Sequence, residues 1–305
     1  MNEQILVFRP GALGDTILTV DALAALRVRF PSSAIELIGN ADAASPLLRS
    51  GLLDSVCSFD AAAVGALFQS QPRVSGRWEG ADVVISWMHA TQVAEAFQTR
   101  TAARIVFAPP ETDGPPMHVA DHLVQTLAPL GVTSAGTEQL ALLSTVNEGP
   151  FNVSSPQASR RRSLRNAVIH PGSGSVRKNW PAERYAKLGE RLSSHGWHVT
   201  WTAGPADEAV IEEVSKRTAG PIRILRPRSA LNLASIIAAA DLYLGNDSGV
   251  THLSARLGVP TIAIFGPTSP RVWGPRGPRV QIISTEGGGW RSVDDVWGPV
   301  VKFGD

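Results

Sequence analysis

The stretch Asp241-Leu242-Tyr243-Leu244-Gly245-Asn246-Asp247-Ser248-Gly249-Val250-Thr251-His252-Leu253 carries a strand signal and a helix signal back to back. Leu242-Tyr243-Leu244 is a short apolar run, read as a buried strand. Gly, Asn, Asp, Ser and Gly follow, residues that favour a tight turn and a helix N-cap. From Val250 to Leu257 the apolar residues have helical character, and they stop at Gly258-Val259-Pro260. A strand therefore feeds a helix through a polar corner. The first N–H groups of a helix lack intrahelical partners and attract anions. Asp247, Ser248 and Gly249 form this corner and His252 stands one turn further on. Together they suit a phosphorylated ligand.

The same alternation runs along the whole chain. In the second half, strands are expected at 167–170, 198–201, 222–225, 242–244 and 261–265, with helices at 182–193, 207–217, 231–240 and from 250 onward. In the first half, strands are expected at 5–8, 34–38, 82–87 and 104–107, with helices at 16–30 and 119–130. Strands alternating with helices imply βαβ units and parallel sheets. The segment from Asn147 to Arg165 interrupts the pattern. It contains Pro150, Pro156 and the cluster Arg160-Arg161-Arg162, and reads as an interdomain linker. The expected architecture is α/β, with two domains facing a cleft. Near the C-terminus, Val293, Val296, Trp297, Val300 and Val301 recur at helical spacing. Gly298-Pro299 counts against one unbroken helix there.

Composition narrows the function classes. The 305 residues are 43% apolar and 18% charged, as in an ordered globular protein. The single cysteine, Cys57, excludes an internal disulfide and reads as a buried structural thiol. No run of about 18 apolar residues exists to cross a membrane. The N-terminus lacks the basic and apolar regions of a signal peptide, so cytoplasmic residence is expected. The net charge of +1 conceals an asymmetry: the first 150 residues are acidic and the remainder basic. The second half is the expected host for an anionic ligand. The basic residues are not interleaved with stacking aromatics, so no nucleic-acid partner is expected.

Three motifs carry chemistry. Arg9-Pro10-Gly11-Ala12-Leu13-Gly14-Asp15-Thr16 joins the first strand to the first helix. It is neither G-x-G-x-x-G nor a P-loop. Asp15 is either a helix N-cap or a general base at the carboxyl end of the first strand. His170-Pro171-Gly172-Ser173-Gly174-Ser175-Val176-Arg177-Lys178-Asn179-Trp180-Pro181 follows a strand with a Gly/Ser loop and two cations. Its backbone and hydroxyls can cradle a phosphate that Lys178 neutralises, or it is an exposed loop. The third motif is the corner at Asp247-Ser248-Gly249. Three readings are set aside. No G-x-S-x-G accompanies Ser248. His118 and His122 stand at i, i+4 without the glutamate of a zinc hydrolase. No Asp-x-Asp occurs to bridge a metal to a diphosphate.

These motifs, with Ala203-Gly204-Pro205-Ala206-Asp207-Glu208, Gly258-Val259-Pro260 and Phe265-Gly266-Pro267-Thr268, occur in an order that resembles glycosyltransferase family 9, the bacterial heptosyltransferases of lipopolysaccharide core assembly. The resemblance implies a GT-B fold. Its domains would be an acceptor-binding Rossmann-like domain at 1–155, a donor-binding one at 166–285, and a C-terminal helix at 286–305 packing back on the first domain. It implies metal-independent, inverting transfer from ADP-heptose or another nucleotide sugar to a lipid-linked glycan, without a cofactor. It further implies peripheral contact with the inner face of the inner membrane. By match, Asp15 is the catalytic base and Arg9 and Gly14 lie on the acceptor side. Gly172, Ser173, Gly174, Ser175 and Lys178 would bind the diphosphate, Glu208 the ribose side, and Asp247, Ser248, Gly249 and His252 the phosphate and sugar. A nucleotide-sugar epimerase of the same architecture and a non-catalytic nucleotide-sugar-binding protein are the alternatives.

Overall fold

The computed structural model describes residues 3–111, 115–133, 165–285 and 289–304. The chain divides into two compact units, Met1–Glu138 and Gln139–Asp305. The expected linker, with Arg160-Arg161-Arg162, lies outside the described residues, except that Arg165 opens a strand.

The first unit is built on β1 (Gln4–Arg9), β2 (Ala34–Gly39), β3 (Ser55–Ser58), β4 (Val83–Ser86) and β5 (Arg104–Phe107). They form one sheet in the order β3-β2-β1-β4-β5, and every pair is parallel. Strands covered on both faces need apolar residues at successive positions, and β1 and β4 supply them. Phe8 of β1 packs edge-on against Trp78 and Phe97 in the core. β3 has only Cys57 buried, and as an edge strand it lacks the apolar run that would announce it. Burial raises the Cys57 thiol pKa, in keeping with a structural thiol. The helix expected over 16–30 is two pieces, Leu13–Ile17 and Val20–Arg29. The first begins early enough to take in Asp15. Asp15 is therefore not the N-cap, which is Ala12.

The second unit is built on β6 (Arg165–His170), β7 (Trp197–Thr202), β8 (Arg223–Leu225), β9 (Leu242–Asn246), β10 (Thr261–Phe265) and β11 (Val280–Ser284). Its sheet order is β11-β10-β9-β6-β7-β8, again with parallel pairs throughout. β9 and β10 are buried along their whole length. In each sheet two neighbours are not consecutive in sequence, β1 beside β4 and β6 beside β9. Connections leave such a pair in opposite directions, opening a crevice at the carboxyl ends where α/β sheets bind ligands. The Arg9–Asp15 turn follows β1, the Gly/Ser loop follows β6, and the Asp247 corner follows β9.

The C-terminal segment is one helix, Val293–Gly304, with Pro299 inside it. Ser292 and Asp295 cap its start reciprocally: Asp295 N–H donates to Ser292 Oγ, and Ser292 N–H donates to Asp295 Oδ2. Part of its apolar face packs within the second unit. Val296 and Val300 are buried in the second unit's own core, beside Trp180, Leu188 and Ile264. Trp297 lies under Arg191, which also pairs with Asp294. This neighbouring helix, Ala182–Ser194, offers a complementary apolar and basic face, so the segment buries its stripe locally. Among the described residues no helix is long and apolar enough to cross a membrane.

Candidate active site

In the second unit the corner and the Gly/Ser loop converge. Gly245 of β9 has no room for a side chain, because a Cβ there would stand 2.4 Å from Tyr243 Oη and 2.8 Å from Thr251 Oγ1. Its absence lets those two hydroxyls bond at 3.1 Å, while Thr251 Oγ1 donates to Asn246 O. The chain then turns, and Ser248 caps helix Gly249–Arg256 by accepting from Thr251 N–H at 3.4 Å. Asp247 projects beside that helix start. Its Oδ2 meets Lys178 Nζ at 2.9 Å and accepts from Thr268 Oγ1 at 2.7 Å. His252 Nε2 lies 4.0 Å from its other oxygen. A lysine, a helix N-terminus and an imidazole thus surround one buried carboxylate. Such a set can neutralise a diphosphate and orient a sugar hydroxyl.

The loop itself is held by its own residues. Ser173 Oγ lies 2.7 Å from both Ser175 O and Asn179 Oδ1, so its hydroxyl is spent on folding the loop. Gly174 faces open space, leaving its backbone approachable. Gly172 has no such room: a Cβ there would fall 1.8 Å from Asp207 Oδ1. Asp207 is buried, accepts from Gly204 N–H at 2.7 Å, and lies 3.7 Å from His170 Nε2. His170 Nδ1 is 3.0 Å from Thr202 O. Burial lowers the His170 pKa, and the Asp207 carboxylate and the Thr202 carbonyl oppose it. Glu208 stands in the open, in a two-point pair with Arg226 at 2.8 Å for each contact. That pair lowers the Glu208 pKa.

In the first unit Asp15 is held at two points. Its Oδ1 accepts from Arg9 Nη2 at 2.8 Å and its Oδ2 accepts from Ala12 N–H at 2.9 Å. Gly11, at φ 140, leaves the space the carboxylate needs. The Asp15 side chain remains 37% exposed, against 7% for Arg9. Arg9 therefore stands behind Asp15 and reaches any ligand through it. Burial lowers the Arg9 pKa, while Asp15 and Glu111 oppose that. His118 and His122 both have structural work, His118 as a helix N-cap accepting from Ala120 N–H and His122 bonded to Pro109 O.

Sequence reasoning singled out Lys178 and Asp247 but not that they touch. It passed over Asn246, Asp207 and Thr268, although each lies inside a quoted motif. Only the corner's adjacency to Asn246 hinted at its role.

Comparison with known proteins adds the family. The sequence pattern of glycosyltransferase family 9 (heptosyltransferase) matches residues 52–292. Lipopolysaccharide heptosyltransferase 1 of Pseudomonas aeruginosa is 35% identical over 112 residues, 36% of this chain and 31% of its own length. The chain thus spans about a third of the length of that curated relative. Among solved structures, a family 9 glycosyl transferase from Veillonella parvula has TM-score 0.77 at 20% identity, covering 99% of this chain and 97% of its own. The E. coli heptosyltransferase WaaC with ADP has TM-score 0.73 at 18% identity, covering 98% and 99%. These two likenesses are of fold, and the fold they share is two parallel-sheet α/β domains. The family match omits the Arg9–Asp15 turn but includes both halves of the Lys178–Asp247 constellation. On that match, which covers most of its length, the chain belongs to glycosyltransferase family 9.

Proposed function

We propose that this protein is a glycosyltransferase that moves a heptose, or a related sugar, from an ADP-sugar to a lipopolysaccharide-core or similar glycan. The observation that carries the reading is the meeting of Lys178, Asp247 and a helix N-terminus at the carboxyl ends of β6 and β9. Family membership and the fold likeness to a heptosyltransferase solved with ADP support it. The same family match disfavours an epimerase or a non-catalytic binder.

In the proposed reaction Asp15 takes the proton of an acceptor hydroxyl. The freed oxygen attacks the anomeric carbon of the sugar, and the bond from that carbon to the diphosphate oxygen breaks. The configuration inverts and ADP leaves. Lys178, the backbone of Gly172, Ser173, Gly174 and Ser175, and the helix start at Ser248 and Gly249 offset the charge that grows on the leaving group. Asp247 and His252 hold the sugar, and Glu208 the ribose. Gly14 lies on the acceptor side, and Arg9 acts there by holding Asp15. No cofactor or metal is required, because the cationic groups are the protein's own. The acceptor is lipid-linked, which brings the protein to the cytoplasmic face of the inner membrane by peripheral contact.

Thermal-shift screening of nucleotides and nucleotide sugars tests the reading. ADP and ADP-sugars are expected to raise the melting temperature. Stabilisation by UDP- or GDP-sugars with none by ADP would sink the donor assignment.

A further inference from the structure

Asn246 is fully buried and its amide makes four contacts. Oδ1 accepts from Trp180 N–H and from Tyr185 Oη, both at 2.9 Å. Nδ2 donates to Pro171 O at 2.7 Å and lies 3.2 Å from Gly172 O. Pro171 and Gly172 open the loop that carries Lys178, and Trp180 closes it. One side chain therefore ties both ends of the loop to the strand end that bears Asp247. Only an uncharged amide offers two donors and an acceptor oxygen with two lone pairs in this compass.

The amide is poorly explained as core filling. Trp180, Tyr185 and Leu244 already pack together in the apolar core around it. A buried polar group that is hydrogen-bonded gains little net stability, because its bonds replace those it made to water. An apolar residue could fill the same space, but it could not hold three loop backbone groups in register. Asn246 grips the loop's ends and Asp247, its chain neighbour, grips Lys178 in the loop's middle. The loop is thereby aligned with the helix start at Gly249 before any ligand arrives. Preorganisation of this kind reduces the ordering cost of binding.

We propose that Asn246 is a positioning residue that sets the diphosphate-binding loop 171–180 against the Asp247 corner. The proposal rests on the donor reading given above. It implies that Asn246 discriminates ligands by their diphosphate without touching them.

The test measures ADP and AMP affinity by calorimetry for the wild type, Asn246→Asp and Asn246→Ser. N246D keeps the size but sets a carboxylate against the Pro171 and Gly172 carbonyls. N246S is neutral and too short to reach them. The wild type is expected to bind ADP more tightly than AMP. Both variants are expected to lose about tenfold or more in ADP affinity, the scale of one charge-assisted contact, with AMP affinity nearly unchanged. The preference for the diphosphate then collapses, an effect general destabilisation does not produce. Should N246D fail to fold, N246S carries the comparison. A folded variant that keeps the ADP-over-AMP preference, or loses both ligands in proportion, overturns the proposal. So does failure of both variants to fold, which makes Asn246 a residue of the fold. A wild type that binds neither nucleotide instead sinks the donor reading itself.

Discussion

Lys178 Nζ lies 2.9 Å from Asp247 Oδ2, joining a loop after β6 to a corner after β9. The Asp247 side chain is 5% exposed and that of Lys178 32%, so the cation is the half of the pair that a ligand meets. Lys178→Ala removes that cation and leaves a buried carboxylate with less compensation. Donor affinity is expected to fall by about 1.5–3 kcal/mol, the worth of a charge-assisted contact. The melting temperature is expected to fall too. Adding Asp247→Asn should recover stability but not ADP affinity. Calorimetry and thermal melts on the two proteins check this, and unchanged ADP affinity in K178A would remove Lys178 from the site.

Asp15→Asn is expected to cut transfer by about 10²–10⁴-fold, the usual cost of a lost general base. Donor binding should persist, because the proposed donor site lies in the second unit. If Asp15 serves only to hold Ala12 N–H, kcat will stay within a few-fold of wild type. From sequence alone Asn is as good a helix cap as Asp, and unchanged stability is expected. The structure alters that expectation, since the buried Arg9 loses its counter-charge. A cost of at least about 1 kcal/mol is expected in denaturant titration.

Gly172→Ala drives a methyl group into Asp207, whereas Gly174→Ala points into open space. The first is expected to cost about 1–3 kcal/mol, as overpacking does, and to weaken ADP binding by moving the loop. The second should leave stability within about 0.5 kcal/mol. Equal melting temperatures for the two variants would contradict the packing described for Asp207.

His170 gives a pH dependence with a definite sign. Its folded-state pKa is lowered by burial, so the unfolded chain binds a proton that the folded one refuses. Stability therefore rises with pH up to about 6.5, the ordinary histidine value, and is lost as pH falls below it. The slope from this one group is at most about 1.4 kcal/mol per pH unit. Denaturation of wild type and His170→Gln between pH 5 and 7.5 should show a flatter acid side for the variant. Parallel curves would show that His170 takes up its proton in the folded state.

Transfer is expected to continue in EDTA. No Asp-x-Asp is present, and Lys178 and helix N–H groups supply positive charge at the proposed diphosphate site. Loss of activity that added magnesium or manganese restores would refute this.

The alternation of apolar runs with helical periods was enough to give two parallel α/β units. Every central strand was legible because burial on both faces demands consecutive apolar residues. Of the four edge strands, β5 and β8 keep short apolar runs and were legible, whereas β3 and β11 are interrupted by polar residues such as Ser55 and Gln281 and were not. The helix around Asp15 was misread at its start because Ala12 is an unusual N-cap, and its capping carboxylate comes from inside the first turn. The C-terminal stripe was legible as a helix, but a stripe does not say which surface covers it.

By itself the sequence determined what chain neighbours and side-chain type decide: strand, corner and helix, a Gly/Ser loop with a lysine, and an aspartate after the first strand. Those are local properties, governed by steric and hydrogen-bonding preferences within a few residues. Only the tertiary structure decided which distant groups meet. Asn246 reaches Pro171 and Trp180 across 75 and 66 residues, and Asp207 closes over Gly172 from the next connection. Such contacts follow from strand order in the sheet, which sets β6 beside β9. That order is chosen by burial summed over the whole unit, and no short stretch of sequence records it.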